Sequence, residues 1–147
     1  MYERILVATD GSALSKKAVT QAITLAALCG AELVVMKVVP RYPVSYFEGG
    51  ATISAQDVAK TEKSWQDAAE AVVNAVKDLA KKKGVSTKSF LPHSDLVAES
   101  IIAAVKKHKC DLVVMASHGR KGIKRLLLGS ETQHVLTHST VPVLVLR

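Results

Sequence analysis

Short, unbroken runs of apolar and β-branched residues recur along the chain, separated by stretches with helical spacing. That alternation constrains the fold more than any other feature. Arg4-Ile5-Leu6-Val7-Ala8-Thr9, Glu32 to Val39, Asp111 to Ala116 and Val141 to Leu146 all lack the in/out alternation of a half-buried strand. Runs of this kind belong to strands covered on both faces, as in parallel sheets sheathed by helices. A more polar run, Val85 to Leu91, suits a sheet edge.

Between these runs the helix signals are local. Ser12 is placed to N-cap a helix carrying Leu14, Ala18, Ala22 and Ala26, and Gly30 ends it. A long helix is expected from about Ser54 to Lys83, with Lys81, Lys82 and Lys83 at the negative end of its dipole and Gly84 as the stop. Ser94 or Asp95 is expected to cap a helix containing Val97, Ile101, Ile102 and Val105. Ser130 followed by Gln133 reads as a capping box opening the last helix. Strands alternating with helices over 147 residues give one α/β domain spanning 1–147. Trp65 is expected to pack over the sheet.

The chain carries 20 basic and 13 acidic side chains, a net charge of +7, which favours an anionic partner. Aromatic residues make up only 4% and are not interleaved with the basic ones, which argues against a nucleic-acid stacking platform and against DNA as partner. No apolar run has the length of a membrane span. Met1 to Val7 lacks the layout of a signal peptide, and Cys29 and Cys110 stand far apart in sequence. A cytoplasmic, reducing setting is the expectation, with both thiols as small buried hydrophobes.

Open parallel sheets bind ligands at the carboxyl ends of their strands, where strand order reverses. Three segments stand there: Thr9-Asp10-Gly11-Ser12, Val38-Val39, and Ser117-His118-Gly119-Arg120-Lys121-Gly122 running on to Gly129-Ser130. Gly119 and Gly122 let a backbone turn sharply and approach a ligand closely. A helix beginning at Gly129-Ser130 offers unpaired N–H groups to an anion, beside Arg120, Lys121, Lys124 and Arg125. A phosphate chain fits that environment. If strand order reverses between the first and fourth strands, Asp10 becomes a neighbour of the glycine loop. There its carboxylate can hold a ribose hydroxyl or a magnesium ion, or simply support the Ser12 cap.

Ile-Leu-Val-Ala-Thr-Asp-Gly-Ser near the start, Asp-Leu-Val-Val-Met-Ala-Ser-His-Gly-Arg, and the ending Pro-Val-Leu-Val-Leu together resemble the universal stress protein family, from Ile5 to Leu146. That family's nucleotide motif is Gly, two residues, Gly, nine residues, then Gly with Ser or Thr. Gly119, Gly129 and Ser130 match it, and Ala116 replaces the first glycine, placing a methyl group where a ligand approaches. The resemblance implies a five-stranded parallel sheet of order 3-2-1-4-5 with helices on both faces. It implies that Ala8, Thr9 and Asp10 line the adenosine side and that Val38 and Met115 flank the base. It also implies that Gly119, Gly129, Ser130 and Thr132 hold ribose and phosphates, with Ala116, His118, Arg120 and Glu131 in the same shell. ATP with Mg²⁺, through Asp10, is the implied ligand, with ADP, AMP or cyclic AMP as alternatives. A homodimer through Val141 to Leu146 is implied as well.

Neither a P-loop string nor a dinucleotide-binding Gly-x-Gly-x-x-Gly is present. His134 and His138 have the i, i+4 spacing of helical zinc ligands, but Val135 stands where a zinc protease has glutamate. No Ser-His-Asp set or paired catalytic carboxylates present themselves, so the chain reads as a binder with at most slow ATP hydrolysis or self-phosphorylation. Its expected role is regulatory: occupancy orders the 119–129 loop and changes a surface that an unknown protein partner reads. The competing reading is a nucleotide-free interaction or chaperone-like stress protein.

Overall fold

The structure is a computed structural model and describes residues 1–43, 54–119 and 128–147. Its strands are β1 (Arg4–Ala8), β2 (Glu32–Met36), β3 (Thr87–Phe90), β4 (Leu112–Ala116) and β5 (Val143–Leu146). Its helices are α1 (Ala13–Cys29), α2 (Ala55–Lys82), α3 (Val97–His108) and α4 (Ser130–His138). The five strands form one parallel sheet in the order β3-β2-β1-β4-β5. This is the expected α/β architecture, with the reversal between β1 and β4.

Alternate residues of the same strands supply the two cores. Ile5, Val7, Leu33, Val35, Leu112 and Val114 face α1 and α2 through Ala18, Ala22, Ala26, Val73, Val76 and Ala80. Leu6, Val34, Met36, Val113 and Met115 face α3 and α4 through Ala98, Ile101, Ala104, Val105 and Val135. Alanines dominate the α1 face because the helix must lie close to the sheet. Ser12 caps α1, its Oγ accepting from the Ser15 N–H at 3.3 Å, and Gly30 ends it in the left-handed region at φ 66°.

Four expectations are corrected. Neither Ser94 nor Asp95 caps α3: the N-cap is Leu96, Ser94 Oγ accepts from the Leu96 N–H, and Asp95 Oδ1 accepts from the Arg41 N–H. The cap comes from α4 instead, where Glu131 Oε2 accepts from the Ala98 N–H at 2.8 Å. Ser130 and Gln133 form no capping box; Gly129 is the N-cap, Ser130 lies inside the helix, and Gln133 Nε2 donates to the Leu128 carbonyl. Trp65 is half-buried and stacks on Tyr42 with ring centroids 6.0 Å apart, because no residue of α2 before Ala69 is buried. Cys110 is buried as expected, whereas Cys29, at the end of α1, is only half-buried.

Candidate functional site

At the carboxyl ends of β1 and β4 the chain leaves the sheet in opposite directions, and a cavity of about 550 Å³ opens between them. That size falls within the roughly 300–1,000 Å³ of small-molecule sites. Its wall includes Ala8, Thr9, Asp10, Val38, Met115, Ala116, His118, Gly119, Gly129, Ser130, Glu131 and Thr132. The structure therefore brings twelve of the thirteen expected positions to one place. Arg120 lies outside the described residues, as do Lys121, Gly122, Lys124 and Arg125. Ser15, Met36, Lys37, Asp95, Val97 and Ile101 complete the wall. Met36 lies inside the expected run Glu32 to Val39, whereas the strand itself ends at Met36, so strand-end logic pointed past it to Val38. Val97 and Ile101 belong to a helix whose periodicity signals only packing, and Asp95 lies just before that helix.

The β1–α1 turn is built by short polar bonds. Thr9 is buried, its N–H donates to the Met36 carbonyl at 3.0 Å, and its Oγ1 lies 3.0 Å from Ser15 Oγ. Its Oγ1 also accepts from the Gly11 N–H, and Gly11 adopts φ 81°, a conformation open to glycine at no steric cost. Asp10 Oδ1 accepts from the Ser12 N–H at 2.9 Å. Both roles foreseen for Asp10 are thus compatible: one oxygen supports the turn, while Oδ2 faces Gly119. A Cβ on Gly119 would stand 2.9 Å from Asp10 Oδ2.

Opposite, the start of α4 is fastened to the end of β4. The Gly129 N–H donates to the Ser117 carbonyl at 2.8 Å, and Thr132, fully buried, donates its hydroxyl to the Ala116 carbonyl at 3.0 Å. A Cβ on Gly129 would meet the His118 Cα at 3.2 Å and the Ser117 carbonyl at 3.3 Å, so a larger residue there would require the His118 backbone to give by a few tenths of an ångström. Ser117 Oγ and His118 Nδ1 lie 3.0 Å apart. The first-turn N–H groups of α4 at Ser130 and Glu131 have no intrahelical acceptor, as at any helix start, and both residues line the cavity.

The architecture has many relatives. The universal stress protein family matches the chain over residues 1–147. The chain belongs to that family. Universal stress protein MJ0531 of Methanocaldococcus jannaschii is 30% identical over 158 residues, covering 100% of this chain and 83% of the relative. Among solved structures, universal stress protein UspA from Lactobacillus plantarum superposes with a TM-score of 0.81 at 23% identity, covering 99% of this chain and 98% of that one. A universal stress protein solved in complex with cAMP has a TM-score of 0.72 at 27% identity, covering 99% of this chain and 97% of that one.

Within this member, Ala116 is the departure from the glycine motif. Only 8% of its surface is exposed, so most of the added methyl is absorbed into the wall. Metal-ligand chemistry is sparse: among the described residues no group of three His, Cys, Asp or Glu side chains could hold an ion. His134 and His138 stack with centroids 4.3 Å apart, and His138 Nδ1 lies 3.0 Å from the His134 carbonyl. No helix among the described residues is long and apolar enough to cross a membrane.

Proposed function

We propose that this universal stress protein family member is an adenine-nucleotide-binding regulatory protein, with its ligand in the cavity between β1 and β4. The polarity split of that cavity carries the reading. Val38, Val97, Ile101 and Met115 offer apolar surface for a flat base at one side, while Gly119 and the first turn of α4 at Ser130 and Glu131 offer backbone N–H groups at the other. Between them Asp10 presents a carboxylate to a ribose hydroxyl or to a magnesium ion carried by phosphates. The cAMP complex of a 27% identical relative supports an adenine ligand.

ATP with Mg²⁺ is the leading candidate. The helix start suits phosphate charge, and Ser130 lies within its first turn. β5 is the last strand of the sheet and exposes Leu144, so pairing two copies edge to edge would cover it, consistent with a homodimer. Occupancy acts as regulation by changing a surface that a protein partner reads.

The deciding measurement is the absorbance ratio at 260 and 280 nm of untreated protein, with chromatography of the acid-released ligand, followed by melting with and without nucleotide. At about 100 times its Kd a ligand adds roughly 2.7 kcal/mol, a rise of about 5–10 °C for a chain of this size. A Ser130→Ala variant that loses affinity for ATP and keeps it for cyclic AMP identifies the triphosphate as the ligand reaching α4. Absence of released nucleotide and of any melting shift refutes the proposal in favour of a nucleotide-free interaction role.

A further inference from the structure

At the amino-terminal end of the sheet, four residues along β1 from the nucleotide cavity, lies a second cavity of about 270 Å³. Arg4 of β1, Glu32 of β2, Lys88 of β3 and Lys107, His108 and Lys109 at the end of α3 line it. Four cations thus face one carboxylate. Arg4 Nε bonds Glu32 Oε1 at 3.0 Å, Lys88 Nζ stands 3.4 Å from the same oxygen, and Arg4 Nη1 donates to the His108 carbonyl at 2.8 Å. The nearby Asp111 carboxylate accepts from the Glu3 and Arg4 backbone N–H groups.

Basic residues at a helix C-terminus ordinarily complement its dipole. Two features here exceed that role. Lys109 is held in the left-handed region at φ 54°, the one described non-glycine residue with positive φ, where glycine or asparagine would be less strained. His108 Nε2 is buried and has no hydrogen-bond partner among the described residues. The imidazole is fixed against Phe90, centroids 4.8 Å apart, and Lys107 Nζ is held 4.6 Å over the same Phe90 ring. Burial, then Lys107, Lys88 and Arg4, lower the His108 pKa, with Glu32 acting in the opposite sense. The cluster is short of negative charge.

We propose that this cavity is a second anion site, separate from the nucleotide cavity, which takes a compact, multiply charged phosphate free in solution between Arg4, Lys88, Lys107 and Lys109. Arg4 makes two hydrogen bonds through its guanidinium, leaving N–H donors for a phosphate oxygen.

The test uses the full chain and pyrophosphate at constant ionic strength, with the histidine ring signals followed by NMR and His108 assigned through His108→Gln. His118 lines the nucleotide cavity and reports on that site separately. The expected result is a saturable displacement of the His108 signals with a raised His108 pKa. Lys109→Gly, which relieves the backbone, should melt no lower than the parent and bind pyrophosphate at least five-fold more weakly, as should Lys88→Ala. The proposal is overturned if His108 does not respond, if sodium chloride reproduces the response, or if both variants bind as the parent does. Association with phosphatidic acid vesicles without any response to pyrophosphate would likewise overturn it.

Discussion

Glu131 provides the sharpest test of how the cavity wall is held. Its Oε2 accepts from the Ala98 N–H at 2.8 Å, 33 residues away, and Ala98 is the second residue of α3. Leu96, the N-cap of α3, has no side chain able to do this, so α4 supplies the acceptor that α3 lacks. A charge-assisted bond to a helix start is worth roughly 1.5–3 kcal/mol when buried, and a lost N-cap costs about 1 kcal/mol. Glu131 is exposed as a residue, so solvent screening places Glu131→Ala near the lower figures, at about 1–1.5 kcal/mol. Glu131→Gln keeps an oxygen acceptor and loses only the charge, for about 0.5 kcal/mol. In urea unfolding both variants should lower the midpoint at constant slope, in that order. Leu96 is 59% exposed, and Leu96→Asp should recover about 1 kcal/mol in the Glu131→Ala background and much less in the parent. Equal effects of Ala and Gln at position 131, or an equal gain from Leu96→Asp in both backgrounds, would refute the account.

Gly119→Ala places a methyl 2.9 Å from Asp10 Oδ2 and forces the carboxylate aside; nucleotide affinity by calorimetry should fall at least ten-fold while the melting temperature changes little. Thr132→Val removes the buried hydroxyl bond to the Ala116 carbonyl and should cost about 1–2 kcal/mol in denaturant unfolding. Burial pushes the Cys110 thiol from 9.0 up to about 11, so the unfolded chain releases this proton at lower pH than the native one. The unfolded state then binds fewer protons between those values, and the Cys110 contribution to stability is fully present below pH 9 and declines up to about pH 11. Cys110→Ala should flatten that decline in melting curves. A thiol reagent at pH 8 should label Cys29 well before Cys110 in native protein, since Cys29 is only half-buried.

The centre of the sheet was legible because β1, β2 and β4 are buried on both faces and therefore written as continuous apolar runs, independent of anything distant; β5 carries the same kind of run although it is an edge strand that exposes Leu144. Ser12 and Gly30 were legible for the same reason: each acts on backbone within a few residues of itself. The errors share the opposite cause. The acceptor for the start of α3 comes from Glu131, so no local motif marks it, and Ser94 and Asp95 mislead by being good caps in the right neighbourhood. Ser130 misleads because the extended backbone falls one residue earlier, at Gly129, which makes glycine the cap and puts the serine inside the helix. Trp65 follows the helical stripe of α2, but the helix begins to bury residues only at Ala69, and the indole meets Tyr42 instead. At the cavity, strand-end logic reaches Thr9, Asp10, Val38, His118, Gly119, Gly129 and Ser130. The remaining positions rested on the family resemblance, and Lys37 and Asp95 carried no signal in either.

Ala116 and Ser117, two residues at the end of β4, join the cavity to the edge of the sheet. The Ala116 carbonyl takes the Thr132 hydroxyl, the Ser117 carbonyl takes the Gly129 N–H, and the Ser117 N–H donates to the Leu146 carbonyl of β5 at 2.7 Å. The start of α4 and the end of β5 thus hang from adjacent peptide units, and Glu131 extends the same unit to α3. The packing divides along the same line. α4 and α3 share one core with β4, while α1 and α2 form the other. A group that binds the first turn of α4 is therefore coupled by hydrogen bonds to the β5 edge and the start of α3. It also borders the start of α1, because Ser15 lines the same cavity and Asp10 accepts from the Ser12 N–H. On the proposed reading, in which occupancy is signalled to a partner, the β5 edge with the adjoining α3 and α4 is one surface that this chain of hydrogen bonds reaches.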